Sequence, residues 1–392
     1  MSRPPPSPSD RKYWVPLDGL RAAAVLVVFL THSVGDLVPG GFVGVDVFFV
    51  LSGFLITSLL VKEWQRHGRL RIGIFYMRRC LRLYPALVVV VLMALALAQV
   101  VGRTQRQVTV DAVTALTYTL NFRVAFWSDS DLNVIGHLWS LSVEEQYYLL
   151  WPPVLILLLR RGLAFARYGT VALLVACAVV KALGTVWLSG AQLYFLPLGH
   201  LDEMLLGSWL GIVLASLPAS RLRAFLARPS VPLLAALPLL ATALLAGQIQ
   251  ALWLYFGGLL GLGLCSLAII GHVVAAPASW ASRVLSLRPA VWLGVRSYGF
   301  YLYHQPVIEL FRHHQMAYRY LLPAALVVTC VLVELSWRLV EQPFLRRKRH
   351  FTVDRASEVE SLELDKRSNT RQLALPATEA HDSSGESSRV AG

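Results

Sequence analysis

The chain is short of charge. Asp, Glu, Lys and Arg make up 15% of its 392 residues, while 56% are hydrophobic; soluble domains carry about 25% charged residues. That deficit excludes a water-soluble globular enzyme, and the apolar excess excludes a disordered chain. Acid is scarcer than base, with 23 Asp and Glu against 36 Lys and Arg and a net charge of +13. The surplus does not make a nucleic-acid face, because the arginines fall in short clusters between apolar runs, as the positive-inside rule of membrane proteins requires. Cysteines are few: Cys80, Cys177, Cys265 and Cys330, each in or beside an apolar run. They read as small buried hydrophobes, with neither a disulfide framework nor metal-ligand spacing, so no metal is expected. The opening MSRPPPSPSD is polar and proline-rich, not a secretory signal, and the first apolar run is long enough to span a bilayer. No internal repeat is visible.

Long apolar runs are what the chain does have. Eleven candidates stand out: 15–36, 41–62, 83–101, 107–126, 137–159, 168–188, 200–217, 231–247, 252–275, 292–312 and 320–341. Charge decides which of them cross. If 107–126 does not, one side of the membrane receives Arg11 and Lys12, the block Lys62–Arg82, Arg160, Arg161 and Arg167. The same side takes Arg221, Arg223, Arg228, Arg283, Arg288 and the run RRKRH, and the other takes only Arg103, Arg106, Arg123, Arg312 and Arg319. The asymmetry predicts an all-α polytopic membrane helix bundle of about ten transmembrane helices in the cell (inner) membrane, with both termini cytoplasmic. The stretch 107–126, with Thr109, Asp111, Thr114, Thr117 and Asn121, is rather polar for lipid and reads as an outer re-entrant or surface segment. Three regions follow: a cytoplasmic tail over 1–14, a membrane domain over 15–345, and a basic, then polar, disordered cytoplasmic tail over 346–392.

Ionisable residues inside spans cost about 3 kcal/mol each at a helix centre, so each needs a partner or a role. The predicted topology sorts them into two layers. Toward the cytoplasm lie Arg21, Arg296 and the block "RRCLRLYP", with Arg78, Arg79 and Arg82. Toward the outside lie His32, Asp46, Glu144, Glu145, Asp202, Glu203 and His304. Bland readings stand beside each: Arg21 pairs with Asp18 three residues back or snorkels, His32 is a packing histidine, and Tyr298, Tyr301 and His304 are an aromatic stripe. Lys181 is expected to snorkel or to pair with an outer carboxylate, and Glu334 and Arg338 to form an intrahelical ion pair. Independent accidents, however, would not segregate by charge.

An inner layer of arginines suits a phosphorylated cytoplasmic anion, and an outer layer of imidazoles and carboxylates suits removal of a proton from a hydroxyl, the carboxylate orienting the imidazole. Arg21 and His32 are eleven residues apart on one helix face, about 16 Å along the axis, comparable to the reach of a pantetheine arm. Acyl transfer across the membrane is the natural hypothesis.

The strings "LDGLRAAAVLVVFLTH", "GGFVGVDVFFVLSGFLI", "RRCLRLYP", "LWSLSVEEQYYLLWP", "SYGFYLYHQP" and "WRLVEQPF" follow one another over residues 13–345. In these the chain resembles the bacterial integral membrane acyltransferases of family three, which move acyl groups, mostly acetyl, from acyl-CoA to sugar hydroxyls on the outer side. The resemblance implies that His32 is the proton acceptor or acyl relay, with Asp46 and Glu144 as essential acids. It also implies that Arg21, Arg78, Arg79 and Arg82 lie near the donor. Supporting places fall to Asp18, Ser52, Trp139, Ser142, Glu145, Tyr298, Tyr301 and His304. The expected partners are acyl-CoA as co-substrate, with no permanently bound cofactor, a carbohydrate or glycosylated acceptor, and the lipid bilayer. The short polar tail resembles the stand-alone branch, which lacks the hydrolase-like C-terminal domain and modifies surface glycans, glycolipids or macrolides. The rivals are a polytopic transporter or flippase and an inactive membrane scaffold.

Overall fold

The computed structural model describes residues 13–348 except 103, 128–133, 218–220 and 247–248. The tails expected over 1–14 and 346–392 therefore lie almost wholly outside the described residues. Among the described residues every regular element is helical, the solution that satisfies each backbone donor and acceptor without water. The order is α1 (Val15–Val34), α2 (Val43–His67), α3 (Ile72–Leu97), α4 (Gln105–Leu116), α5 (Leu120–Trp127) and α6 (Trp139–Leu159). Next come α7 (Leu163–Gly184), α8 (Gly190–Phe195), α9 (Leu201–Ser216), α10 (Arg221–Leu226), α11 (Val231–Leu245) and α12 (Gly258–Ala275). The last are α13 (Trp280–Leu285), α14 (Arg288–Val295), α15 (Ser297–His313), α16 (Tyr318–Ser336), a π-helical turn (Trp337–Glu341) and α17 (Gln342–Lys348).

This is a polytopic helical membrane protein. Helices stand at all ten expected positions, and six of them are long and apolar enough to cross: α1, α2, α3, α7, α12 and the run Tyr318–Arg346. The remaining four are shorter or more polar. They are α6 with Glu144 and Glu145, and α9, α11 and α15 with 16, 15 and 17 residues.

Three boundaries differ from expectation. First, α2 runs on to His67 and α3 already begins at Ile72, so the block expected between spans is itself helical. Gly68, at φ +63°, closes α2 by donating its N–H to the Trp64 carbonyl. Second, 292–312 is two helices broken at Arg296, which caps one and starts the other. Third, 107–126 divides into α4 and α5 around Tyr118, whose φ is +54°. At 12 and 8 residues neither is long enough to cross a core about 30 Å thick. Arg123 on α5 pairs with Asp111 on α4 at 2.8 Å.

The core sits around α2. Of its most apolar window 78% is buried, against 11% for α7, so α2 is the central helix and α7 a peripheral one with a bare apolar face. A close seam joins α2 and α9. A Cβ on Gly53 would come 1.9 Å from the Met204 carbonyl oxygen, and one on Gly207 equally close to that of Val50. Small residues let backbones approach where lipid offers no hydrophobic drive for helix association. The four cysteines are free, and Cys80 is exposed with the others half-buried, a correction to the expected burial.

Candidate active site

Because α3 starts at Ile72, Arg79 lies seven residues along it, about 10 Å deep. There it meets α6, whose second turn carries Glu144 and Glu145. Arg79 Nη2 donates to Glu145 Oε1 at 2.8 Å, and its guanidinium lies 3.3 Å from the centroid of the Tyr148 ring. Ser52 on α2 and Tyr148 both donate hydrogen bonds to Glu144 Oε1. Both glutamates thus belong to the level of the arginines, not to the opposite layer where they were expected; the early start of α3 is the reason.

A cavity opens at this level. Arg21, Arg79 and Arg82 line it together with Glu144, and Ser52, Tyr298 and Tyr301 are among the other polar residues of its wall. Three arginines from two helices therefore face one carboxylate. Arg78 is not in the wall. Arg21 makes the expected bond to Asp18 at 3.1 Å and also lines the cavity. Asp18 also accepts from Tyr13, whose phenol is pushed up to about 12, first by partial burial and then by that bond, and so stays a donor. Arg296 is elsewhere. It pairs with Glu334 at 2.8 Å between the rings of Trp292 and Trp337. Glu334 also takes the expected intrahelical bond from Arg338 at 2.6 Å.

Beyond Tyr301 lie three imidazoles. The Tyr301 backbone carbonyl is approached by His304 Nδ1 at 2.7 Å and by His137 Nε2 at 2.8 Å. A carbonyl only accepts, so both of those nitrogens carry hydrogen. In neutral rings the lone pair of His304 is then on Nε2, and His32 Nδ1, 2.9 Å away, must donate to it. His32 is left with its own lone pair on Nε2. The partner that fixes its tautomer is thus an imidazole, not the expected carboxylate. Tyr301 also joins this cluster to the cavity: its ring lines the wall, and its hydroxyl bonds Ser140 and the His137 carbonyl, each at 2.6 Å. His32 itself is outside the wall, one side chain further on.

Asp46 joins neither group. It is fully buried beside His200 and Glu203, on the face of α2 that meets α9, with Lys181 bound to Asp202 nearby at 2.7 Å, the second of the two outcomes expected for that lysine. Among the supporting residues, Ser52, Tyr298 and Tyr301 line the cavity. Trp139 packs on Phe49 and His200, and Ser142 is buried with its hydroxyl 3.5 Å from the Leu138 carbonyl of its own turn. The structure adds Tyr148, Ser140, His137 and His200, which sequence reasoning missed. The signals were present for some: Tyr148 is one helical turn after Glu144, and His137 directly precedes "LWSLS".

The acyltransferase domain of family three matches residues 14–337. Peptidoglycan O-acetyltransferase OatA of Listeria monocytogenes is 32% identical over 365 residues, covering 85% of this chain and 56% of its own length. YrhL of Bacillus subtilis, provisionally named a peptidoglycan O-acetyltransferase, is 34% identical over 358 residues, covering 85% and 55%. The chain thus spans a little over half the length of these relatives. No solved structure matches it. A match over this extent settles the family: the chain belongs to the integral membrane acyltransferases of family three.

Proposed function

We propose that the chain is a membrane O-acyltransferase. It moves an acyl group, acetyl first, from cytoplasmic acyl-CoA to a hydroxyl of a cell-envelope carbohydrate. One observation carries this reading. A cavity walled by Arg21, Arg79 and Arg82 is joined through Tyr301 and His304 to an imidazole, His32, whose lone pair is on Nε2. Arginines recognise phosphate by charge and fork geometry, and Arg79 Nε is buried with no acceptor, a donor vacancy of about 1–3 kcal/mol that an anion would fill. The names of the relatives favour an envelope glycan over a glycosylated natural product as acceptor.

In the proposed reaction the nucleotide end of the donor is held by the arginines and its thioester extends toward Tyr301. His32 Nε2 takes the proton of the acceptor hydroxyl while that oxygen attacks the thioester carbonyl; the C–S bond breaks and CoA leaves as thiolate. In the relay form, Nε2 attacks the thioester carbonyl and CoA leaves as thiolate; the acceptor hydroxyl then attacks the ring-bound acyl carbon, the C–N bond breaks and the hydroxyl proton goes to Nε2. Glu144, bound by Ser52 and Tyr148, holds the cavity's geometry opposite the arginines. The test uses purified protein in liposomes with labelled acetyl-CoA and soluble cell-wall glycan fragments. Acceptor-dependent CoA release and labelled glycan are expected. No release with any envelope glycan would overturn the reading in favour of transport, and label trapped on His32 without acceptor would select the relay.

A further inference from the structure

The Asp46 cluster has a feature the proposed transfer does not use. His200 Nε2 lies 2.9 Å from the Tyr194 backbone carbonyl, so that nitrogen bears hydrogen and, in the neutral ring, Nδ1 bears the lone pair. Nδ1 faces Glu203 Oε2 at 3.1 Å and Asp46 Oδ1 at 3.5 Å. Three atoms that can each offer a lone pair therefore converge, all within 4.8 Å of one another. Both oxygens of Asp46, and Oε1 of Glu203, have no hydrogen-bond partner, although both side chains are fully buried. Lys181 is engaged with Asp202 and the Gly199 carbonyl. Counting Asp46, Asp202 and Glu203 against Lys181, the pocket holds three carboxylates and one ammonium in a dry interior, where unpaired charge is costly.

We infer that Asp46, Glu203 and His200 Nδ1 bind a divalent transition-metal ion of the zinc class, which clasps α2 to α9. The Glu203 contact is within hydrogen-bond range, but a proton there leaves both oxygens of buried Asp46 without a partner, whereas a metal would satisfy all three groups. Ligands about 2.1 Å from a tetrahedral zinc lie about 3.4 Å from one another, close to the two distances from His200 Nδ1. One imidazole and two carboxylates form a donor set that zinc accepts, and the second oxygens of both carboxylates can raise the coordination number. The bond from His200 Nε2–H to a backbone carbonyl is the outer support that metal-bound histidines generally have. The ion would sit at the N-terminal end of the seam between α2 and α9, with Phe49 packed at a tilt on His200, ring centroids 4.6 Å apart, between it and the cavity.

The test is elemental analysis of the full chain purified in detergent, without chelator or polyhistidine tag. About one equivalent of zinc or another divalent transition metal per chain should survive gel filtration. Chelation should lower the thermal midpoint, and added Zn2+ should restore it. Asp46→Asn with Glu203→Gln should cut the retained metal at least tenfold. X-ray absorption of the wild type should give oxygen ligands and one imidazole, a readout that holds even where the double variant does not fold. Absence of metal together with no response to Zn2+ would overturn the inference and leave a proton between these groups. Unchanged stoichiometry in a folded double variant, or sulfur in the coordination shell, would place the ion elsewhere and overturn it equally.

Discussion

His32 acts, in the reading above, through a single nitrogen whose availability depends on a chain of hydrogen bonds ending at the Tyr301 carbonyl. Removing the ring removes the base: His32→Ala should lower kcat/KM for acyl transfer by about 10²–10⁴, with unchanged membrane insertion, as measured by CoA release from reconstituted protein. His304→Ala should act by a different route, freeing the His32 tautomer while leaving its ring in place, and should cost less than the His32 change in the same assay. The arginines are separable from this chemistry. Arg82 lines the cavity without belonging to the imidazole cluster, so Arg82→Ala should raise the KM for acetyl-CoA about tenfold with a smaller change in kcat. An unaltered KM would remove Arg82 from donor binding. At this scale the sequence was most informative where one helix carries both partners, as for Arg21 with Asp18 and Arg338 with Glu334. It was least informative where the partner comes from another helix. Nothing local ties His32 to His304, 272 residues away, or Arg79 to Tyr148.

Among the elements, the seam between α2 and α9 has little tolerance. Gly53 and Gly207 face backbone oxygens of the opposite helix at distances no Cβ accepts, and Thr57 and Ser208 hydrogen-bond across the same seam at 2.7 Å. Gly53→Val should therefore force the helices apart at a cost of about 1–3 kcal/mol or more, read as a lower thermal midpoint in detergent. Gly73→Val, with nothing within 4 Å of the added carbon, is the matched control and should move the midpoint much less. Helix existence was legible from apolar run length, because a spanning backbone has no alternative to intrahelical bonding. Helix ends were not. The start of α3 at Ile72 lies in a stretch too basic to read as membrane helix, and it is stable there because Arg79 finds Glu145 and the ring of Tyr148. The break at Arg296 was likewise hidden inside a continuous apolar run. Those two boundaries decide the site, since the first carries two arginines to the depth of Glu144 and the second starts α15 at the cavity wall, with Ser297, Tyr298 and Tyr301 in its first turns.

For the molecule as a whole, the remaining question is which end of the bundle faces the cytoplasm, and charge gives a definite expectation. Arg160, Arg161 and Arg167 flank the junction of α6 and α7, while only Arg312 and Arg319 flank that of α15 and α16. Lys and Arg near span ends are held on the cytoplasmic side. Gly162, in the first junction, and Gln315, in the second, are both exposed between helices; a Cβ at Gly162 meets no atom within 4 Å, though its φ of +100° strains any side chain there. In a background with Cys80, Cys177, Cys265 and Cys330 replaced by serine, Gly162→Cys should react with a membrane-impermeant maleimide only after the cells are opened. Gln315→Cys should react in intact cells. That pattern would put the N-terminal end of α1, with Arg21 and the arginine cavity, on the side where acyl-CoA is made, and His32 about 16 Å further toward the envelope. The reverse pattern would leave the cavity facing away from any CoA pool, and the donor assignment would fail even if the chain proved to be a transferase.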